Sequence, residues 1–201
     1  MKSGGAQPRG ATLVELLVST VFVSILMAIS YSFARAALMT SRVQAVKSDA
    51  QEATVMALDV MARELRMAGF SAAGASLPPL RAAAPDRVEV VSDLNGDGDT
   101  ADSNERIAYS YDDTTHQLRR ATGGASPQPF VRNVAPMGFH LSYFDAAGVE
   151  IPAGAAGMTS AQLQHVHRID VALALEFANP DPKRAAPLRS AVSSSVCLRN
   201  Q

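Results

Sequence analysis

The stretch Arg9-Gly10-Ala11-Thr12-Leu13-Val14-Glu15-Leu16-Leu17-Val18 decides how this chain reads. A short polar leader, MKSGGAQPRG, runs up to it and carries Lys2 and Arg9. From Ala11 to Ala34 the residues are apolar with scattered hydroxyls. Glu15 is the only charge among them, and Arg35 ends the run. As a helix this run would be about 36 Å long, enough to cross a hydrocarbon core of about 30 Å. Basic residues ahead of it favour a cytoplasmic N-terminus. A secretory signal peptide has a shorter apolar region, and its small-residue cleavage site follows that region. Here the small residue, Gly10, comes first, so a cut there removes the leader and leaves the helix attached. An ionised carboxylate inside hydrocarbon costs on the order of 3 kcal/mol or more, so Glu15 calls for a partner and a function.

The residues from Arg9 to Val18 resemble the prepilin motif of the type IV pilin superfamily. In that family a membrane peptidase cuts after the glycine and methylates the new N-terminal amine. The resemblance therefore implies cleavage between Gly10 and Ala11, N-methylation of Ala11, and Glu15 as the fifth residue of the mature chain. It further implies that Glu15 pairs with the Ala11 amine of a neighbouring subunit, neutralising both charges and setting register in a filament. The family usually has phenylalanine at the first mature position, where this chain has Ala11. The alternative is an ordinary single-span anchor with a protonated Glu15 near the membrane interface.

Beyond Arg35 the pattern turns amphipathic. Val43, Val46, Ala50, Ala53, Ala57, Val60 and Leu65 recur at helical steps, while Arg42, Lys47, Asp49, Glu52, Asp59, Arg63 and Glu64 fill other faces. No proline interrupts residues 11–68, Ser24 and Ser32 are polar breaks in the apolar half where a kinking proline or glycine would otherwise stand, and Gly69 supplies a C-terminal stop. A nearly continuous helix is expected.

From Ser71 the composition shifts to proline, glycine and alanine, and Pro78-Pro79 excludes helix. Strands are expected at Arg87–Val91, Arg106–Tyr111, His116–Arg120, Met137–Phe144, Arg168–Phe177 and Leu188–Leu198. Their period-two alternation points Ile107, Tyr109 and Tyr111 one way. It does the same for Met137, Phe139, Leu141 and Tyr143, for Ile169, Val171, Leu173, Leu175 and Phe177, and for Leu188, Val192, Val196 and Leu198. The reading is an antiparallel sheet with one wet face, its dry face covered by the helical stripe. The fold class expected is thus α+β, a pilin-like roll. Its parts are a leader (1–10), a transmembrane and filament-core helix (11–35), an amphipathic helix half (36–69) and a β-rich head (70–201).

The stretch from Glu64 to Phe70 together with Asp93-Leu94-Asn95-Gly96-Asp97-Gly98-Asp99 is similar to the PilW-type minor pilins; the J-type pseudopilin of type II secretion is close in plan. The Asp93–Asp99 stretch also matches the first half of an EF-hand-like calcium loop, with oxygen ligands at alternate positions and Gly98 at the sharp turn. Asp93, Asn95, Asp97 and Asp99 are the candidate ligands, and Asp102 or Glu105 would close the site, because Asn104 occupies the twelfth position. A solvated acidic turn explains the same residues, since Asp, Asn and Gly are ordinary turn formers.

The remaining features bound the function. Of 201 residues, 47% are hydrophobic and 18% charged, and the formal net charge of −1 gives no reason to expect nucleic-acid binding. The one cysteine, Cys197, rules out an internal disulfide and reads as a buried strand residue, with pairing between chains as the other option. His165 and His167 fall on one strand face without a third ligand, Ser193-Ser194-Ser195 lacks a nucleophile elbow, and Asp112-Asp113 reads as a hairpin turn. Nothing supports catalysis. The resemblance implies a minor pilin that helps initiate pilus assembly. Its partners would be other pilins, the prepilin peptidase and methyltransferase, and the inner membrane, which it leaves for a periplasmic or cell-surface filament. A secretion pseudopilin, a tip adhesin or DNA-uptake pilin, and a plain anchored envelope protein are the competing readings.

Overall fold

A computed structural model describes residues 12–184 and 186–200, so Gly10 and Ala11 lie outside the described residues. The chain divides into two compact units, one ending at Gln44 and the other spanning Ala45–Gln201. The first helix, α1, runs over Leu13–Arg66 and contributes to both.

In the first unit α1 starts on Thr12. Its hydroxyl accepts the Glu15 N–H at 3.3 Å and its carbonyl accepts the Leu16 N–H at 3.1 Å. The helix is long and apolar enough to cross a membrane, and none of its most apolar window is buried. A core helix of a soluble domain would be mostly buried; here Leu13 is 83% and Phe33 76% exposed. Ser24 and Ser32 do not interrupt it. Ser24 donates to the Thr20 carbonyl at 2.7 Å and Ser32 to the Ile29 carbonyl at 2.8 Å, so both hydroxyls are satisfied inside the helix. Such internal satisfaction is what an apolar surround demands.

In the second unit the helix buries Ala50, Thr54, Ala57, Leu58, Met61, Ala62 and Leu65. Alanines let the backbone approach the sheets, Leu58, Met61 and Leu65 fill the core, and the buried Thr54 hydroxyl is satisfied by the Ala50 carbonyl at 2.6 Å. The expected stripe is correct at Ala50, Ala57 and Leu65 but not at Ala53 and Val60, which are exposed. At about 100° per residue those two lie about 100° or more round the helix from the middle of the buried face.

Two antiparallel sheets follow, where one was expected. β1 (Leu80–Ala84), β2 (Arg87–Val91), β3 (Arg106–Asp112), β4 (Gln117–Thr122) and β5 (Gln128–Val131) form the first, in chain order. β6 (Val134–Phe144), β7 (Glu150–Ile151), β8 (Arg168–Phe177) and β9 (Leu188–Cys197) form the second, in the order β7-β6-β8-β9. A short helix, α2 (Ser160–Leu163), precedes β8 and is closed by a Thr159/Gln162 capping box. Both dry faces and the helical stripe share one core, in which Tyr109, Leu118, Leu141, Tyr143, Ile169, Leu173 and Val196 are buried beside Met61 and Leu65. The architecture is α+β, a long N-terminal helix packed on antiparallel sheets.

The expected strands are all present, with ends moved by up to three residues. β1, β5, β7 and α2 were not foreseen. β1 is alanine-rich and follows two prolines, so nothing local marks it as strand. β5 contains Pro129, which is tolerated because β5 is an edge. Two facing assignments are corrected. Met137 is 89% exposed instead of inward. The β6–β8 register shifts between Val134 and Phe139, Met137 takes a φ of 53°, and an added Cβ on Gly138 would sit 2.6 Å from the Ala174 carbonyl oxygen. This bulge reverses the alternation for one position. Cys197 is exposed, because Val196 and Leu198 on either side of it point into the core. His165 and His167 precede β8 and are exposed, so they do not share a strand face.

Candidate functional site

Two places in the molecule call for a functional account: the acid in the apolar helix and the acidic loop between β2 and β3. Glu15 sits in the first turn of α1, three residues after Thr12. Among the described residues no donor meets its carboxylate, and the apolar side chains around it are exposed: Leu16 by 63% and Leu17 by 59%. An acid on such a surface is poorly accommodated by hydrocarbon.

The acidic loop covers residues 92–105 and is built from its own side chains. Asp93 is fully buried. Its Oδ1 accepts the Gly96 N–H at 2.6 Å and its Oδ2 accepts the Ser71 hydroxyl at 3.2 Å. Its backbone is held by Phe70 and Ala72, so the loop starts from the segment that follows α1. Successive turns continue outward: Asn95 Oδ1 accepts from the Asp97 N–H at 2.9 Å, Asp97 Oδ1 from Asp99 at 3.0 Å and Asp99 Oδ1 from Ala101 at 2.8 Å. The Asn95 amide donates to both Asp97 and Asp102 at 2.9 Å. The backbone donor from Asp99 and then the Asn95 amide hold the Asp97 carboxyl below the usual carboxylate range. Glu105 closes the loop. It is 2% exposed, and its Oε1 accepts the Leu94 and Asn95 N–H groups at 2.8 and 3.2 Å.

Of the six residues singled out in the sequence, the fold brings three together. One carboxylate oxygen each of Asp97, Asp99 and Glu105 lies within 4.8 Å of the others. Asp93 is committed to Ser71 and Gly96, Asn95 turns its donor group to Asp97 and Asp102, and Asp102 stands as their acceptor. Gly123, after β4, underlies the loop: its φ is +56°, and a Cβ there would meet Ser103 Cα at 2.7 Å. A surface groove of about 610 Å³ lies nearby, lined by Leu77, Pro79, Leu80, Val91 and Leu163 among others. Among the described residues no histidine, cysteine or carboxylate lines it.

Pattern reading missed a third polar cluster. Glu64, near the end of α1, reaches across to the first sheet, where Arg120 on β4 donates to it through Nε at 3.1 Å and Nη2 at 2.7 Å. Tyr109 on β3 donates its hydroxyl to the same carboxylate. Burial first, and then the Glu64 hydrogen bond, push the Tyr109 hydroxyl well above the usual phenol range, so it stays a donor. The Glu64 hydrogen bond also raises Arg120. The signal available was the charge of Glu64 close to the buried face of α1; the partner could not be read before the sheet was placed. Glu64→Gln should cost about 1.5–3 kcal/mol, a drop of several degrees in melting temperature. The carboxylate and guanidinium are 20% and 29% exposed, which screens the pair and sets the lower end. A double-mutant cycle with Arg120→Met measures the coupling. Additive losses would show that the pair is decorative.

No protein-family model matches the chain, and no curated protein matches its sequence. Its structure is similar to that of a type IV-like pilin from Thermus thermophilus, with a TM-score of 0.50 over 74% of this chain and 95% of the other, at 13% sequence identity. At that identity the likeness speaks of architecture, and the architecture agrees with the helix and sheets described above. The chain has the fold of a type IV-like pilin.

Proposed function

We propose that this protein is a non-catalytic structural subunit, a minor pilin of PilW type, that enters a type IV filament through its N-terminal helix. The observation that carries this reading is the exposed apolar surface of α1 with a single acid near its start, joined in one chain to a domain of pilin-like fold. Such a surface needs either lipid or other helices like itself. In lipid Glu15 is costly, and in a bundle of sister helices it gains a cation. The difference favours extraction from the membrane into the filament.

The molecular scheme follows from the motif. Residues 1–10 are a leader, cleavage after Gly10 frees the Ala11 amine, and methylation there keeps it cationic. Glu15 then pairs with the Ala11 amine of a neighbour. Residues 11–35 form the filament core, 36–69 join the head, and 70–201 are displayed. Before assembly the chain resides in the inner membrane, and afterwards in a periplasmic or cell-surface pilus with other pilins.

The test is mass spectrometry of the mature protein together with assembly of Glu15→Val. A chain beginning at methylated Ala11 is expected, and an intact Met1 in assembled material would refute the scheme. Glu15→Val should leave the head folded and lower incorporation into filaments by about 10-fold or more, the factor for losing on the order of 1.4 kcal/mol or more of pairing. Unchanged incorporation would remove the proposed ion pair.

A further inference from the structure

The β2–β3 loop holds a carboxylate that the described residues satisfy on one oxygen only. Glu105 Oε2 is inaccessible to water and has no hydrogen-bond donor among the described residues, whereas Oε1 of the same group has two backbone donors. A buried carboxylate oxygen without a donor or counter-ion is expensive. No lysine or arginine among the described ion pairs reaches Asp97, Asp99, Asp102 or Glu105, although ion pairs occur on both sheets. Among the described residues the carboxylates of Asp97, Asp99, Asp102 and Glu105 are met by hydrogen bonds from backbone N–H groups and the Asn95 amide, with no cationic side chain. A plain acidic turn needs exposed carboxylates. It does not need one that is 2% exposed, leaves an oxygen without a donor and places an oxygen within 4.8 Å of those of Asp97 and Asp99.

We propose that this loop is a calcium site, with Asp97, Asp99 and Glu105 as its protein carboxylate ligands. The donor set is all oxygen, which selects a hard cation over zinc or copper. Ligand oxygens lie about 2.3–2.6 Å from Ca²⁺, so opposite ligands stand up to about 5 Å apart, and the three carboxylates, within 4.8 Å of one another, fit that shell. Mg²⁺ demands a near-ideal octahedron and dehydrates reluctantly, whereas Ca²⁺ accepts a flexible shell of carboxylates, so three loop carboxylates suit calcium. Asp97 and Asp99 are exposed, which leaves the outer side of the ion to water. The ligand set differs from the alternating EF-hand pattern. Asp93 serves as the anchor to Ser71, and Glu105 takes the closing role that the twelfth position, Asn104, lacks. Glu105 can do so because its backbone is fixed from both sides, its N–H by Asp102 and its carbonyl by the Ser92 N–H at 2.7 Å. The ion would tie the tip of the loop to the start of β3. This inference does not depend on filament assembly.

The test uses the full-length chain in detergent micelles, stripped with chelator. Equilibrium dialysis with radioactive calcium should find one ion per chain. Calcium at about 100 times the dissociation constant should raise the melting temperature by about 5–10 °C over chelator. Asp97→Asn and Asp99→Asn, both at exposed positions that leave folding intact, should each weaken calcium at least about 10-fold. Glu105→Gln should abolish the shift while its calcium-free melt reports that it folds. Asp113→Asn, in the β3–β4 turn, should bind as the parent does. No saturable binding at about 10 mM calcium, parental affinity in the Asp97 and Asp99 variants, equal loss in Asp113→Asn, or magnesium binding as tightly as calcium would each overturn the assignment.

Discussion

Leu65→Ala should destabilise the second unit by about 2–5 kcal/mol and lower its melting temperature by about 10 °C. Leu65 has no exposed surface and sits where the last turns of α1 meet both sheets. Removing its branch deletes apolar burial and leaves a hole in the shared core, so the cost combines transfer and cavity terms. Val60→Ala is the matched control. That side chain is 36% exposed, so its truncation should cost about 0.5 kcal/mol or less. The chain has no tryptophan, but Tyr109 and Tyr143 are buried, so near-ultraviolet circular dichroism of the full chain in micelles reads the head. Equal losses at positions 60 and 65 would mean that the buried face of the helix is misplaced.

The second large effect is expected at Gly69. Its φ is +75°, its N–H bonds the Val91 carbonyl at 2.8 Å, and a Cβ would lie 2.1 Å from the Asn200 carbonyl oxygen. Gly69→Ala therefore meets two penalties, a left-handed backbone worth about 1 kcal/mol and a clash with main chain that must move, for a total of about 3 kcal/mol or more. Gly74→Ala separates them: its φ is +74°, but nothing lies within 4 Å of the added carbon. That variant should lose only the backbone share, about 1 kcal/mol. A Gly69 variant no worse than the Gly74 variant would show that the C-terminal segment does not pack against the end of the helix.

Glycine at position 69 also shows how far local reading reaches. That a helix stops near there was legible, because glycine takes the left-handed C-cap without strain. That this glycine must also admit the carbonyl of Asn200 was not, because the contact joins distant parts of the chain. The acidic loop divides in the same way. Its alternating Asp, Asn and Gly residues announce a turn rich in oxygen ligands. The identity of the residue that closes it depends on where β3 begins, and that is decided by pairing with β2 and β4.

What the sequence determined by itself was periodic and one-dimensional: a helix stopping near Gly69, its apolar start with one acid, and strands whose alternate residues face a core. Helical and strand periods are local properties of the backbone, so they survive any tertiary arrangement. Only the tertiary structure decided the division into two sheets, the bulge that turns Met137 outward, the Glu64–Arg120–Tyr109 cluster and the convergence of Asp97, Asp99 and Glu105. Each of these depends on hydrogen-bond register or packing between segments far apart in the chain, and no local preference encodes such a pairing.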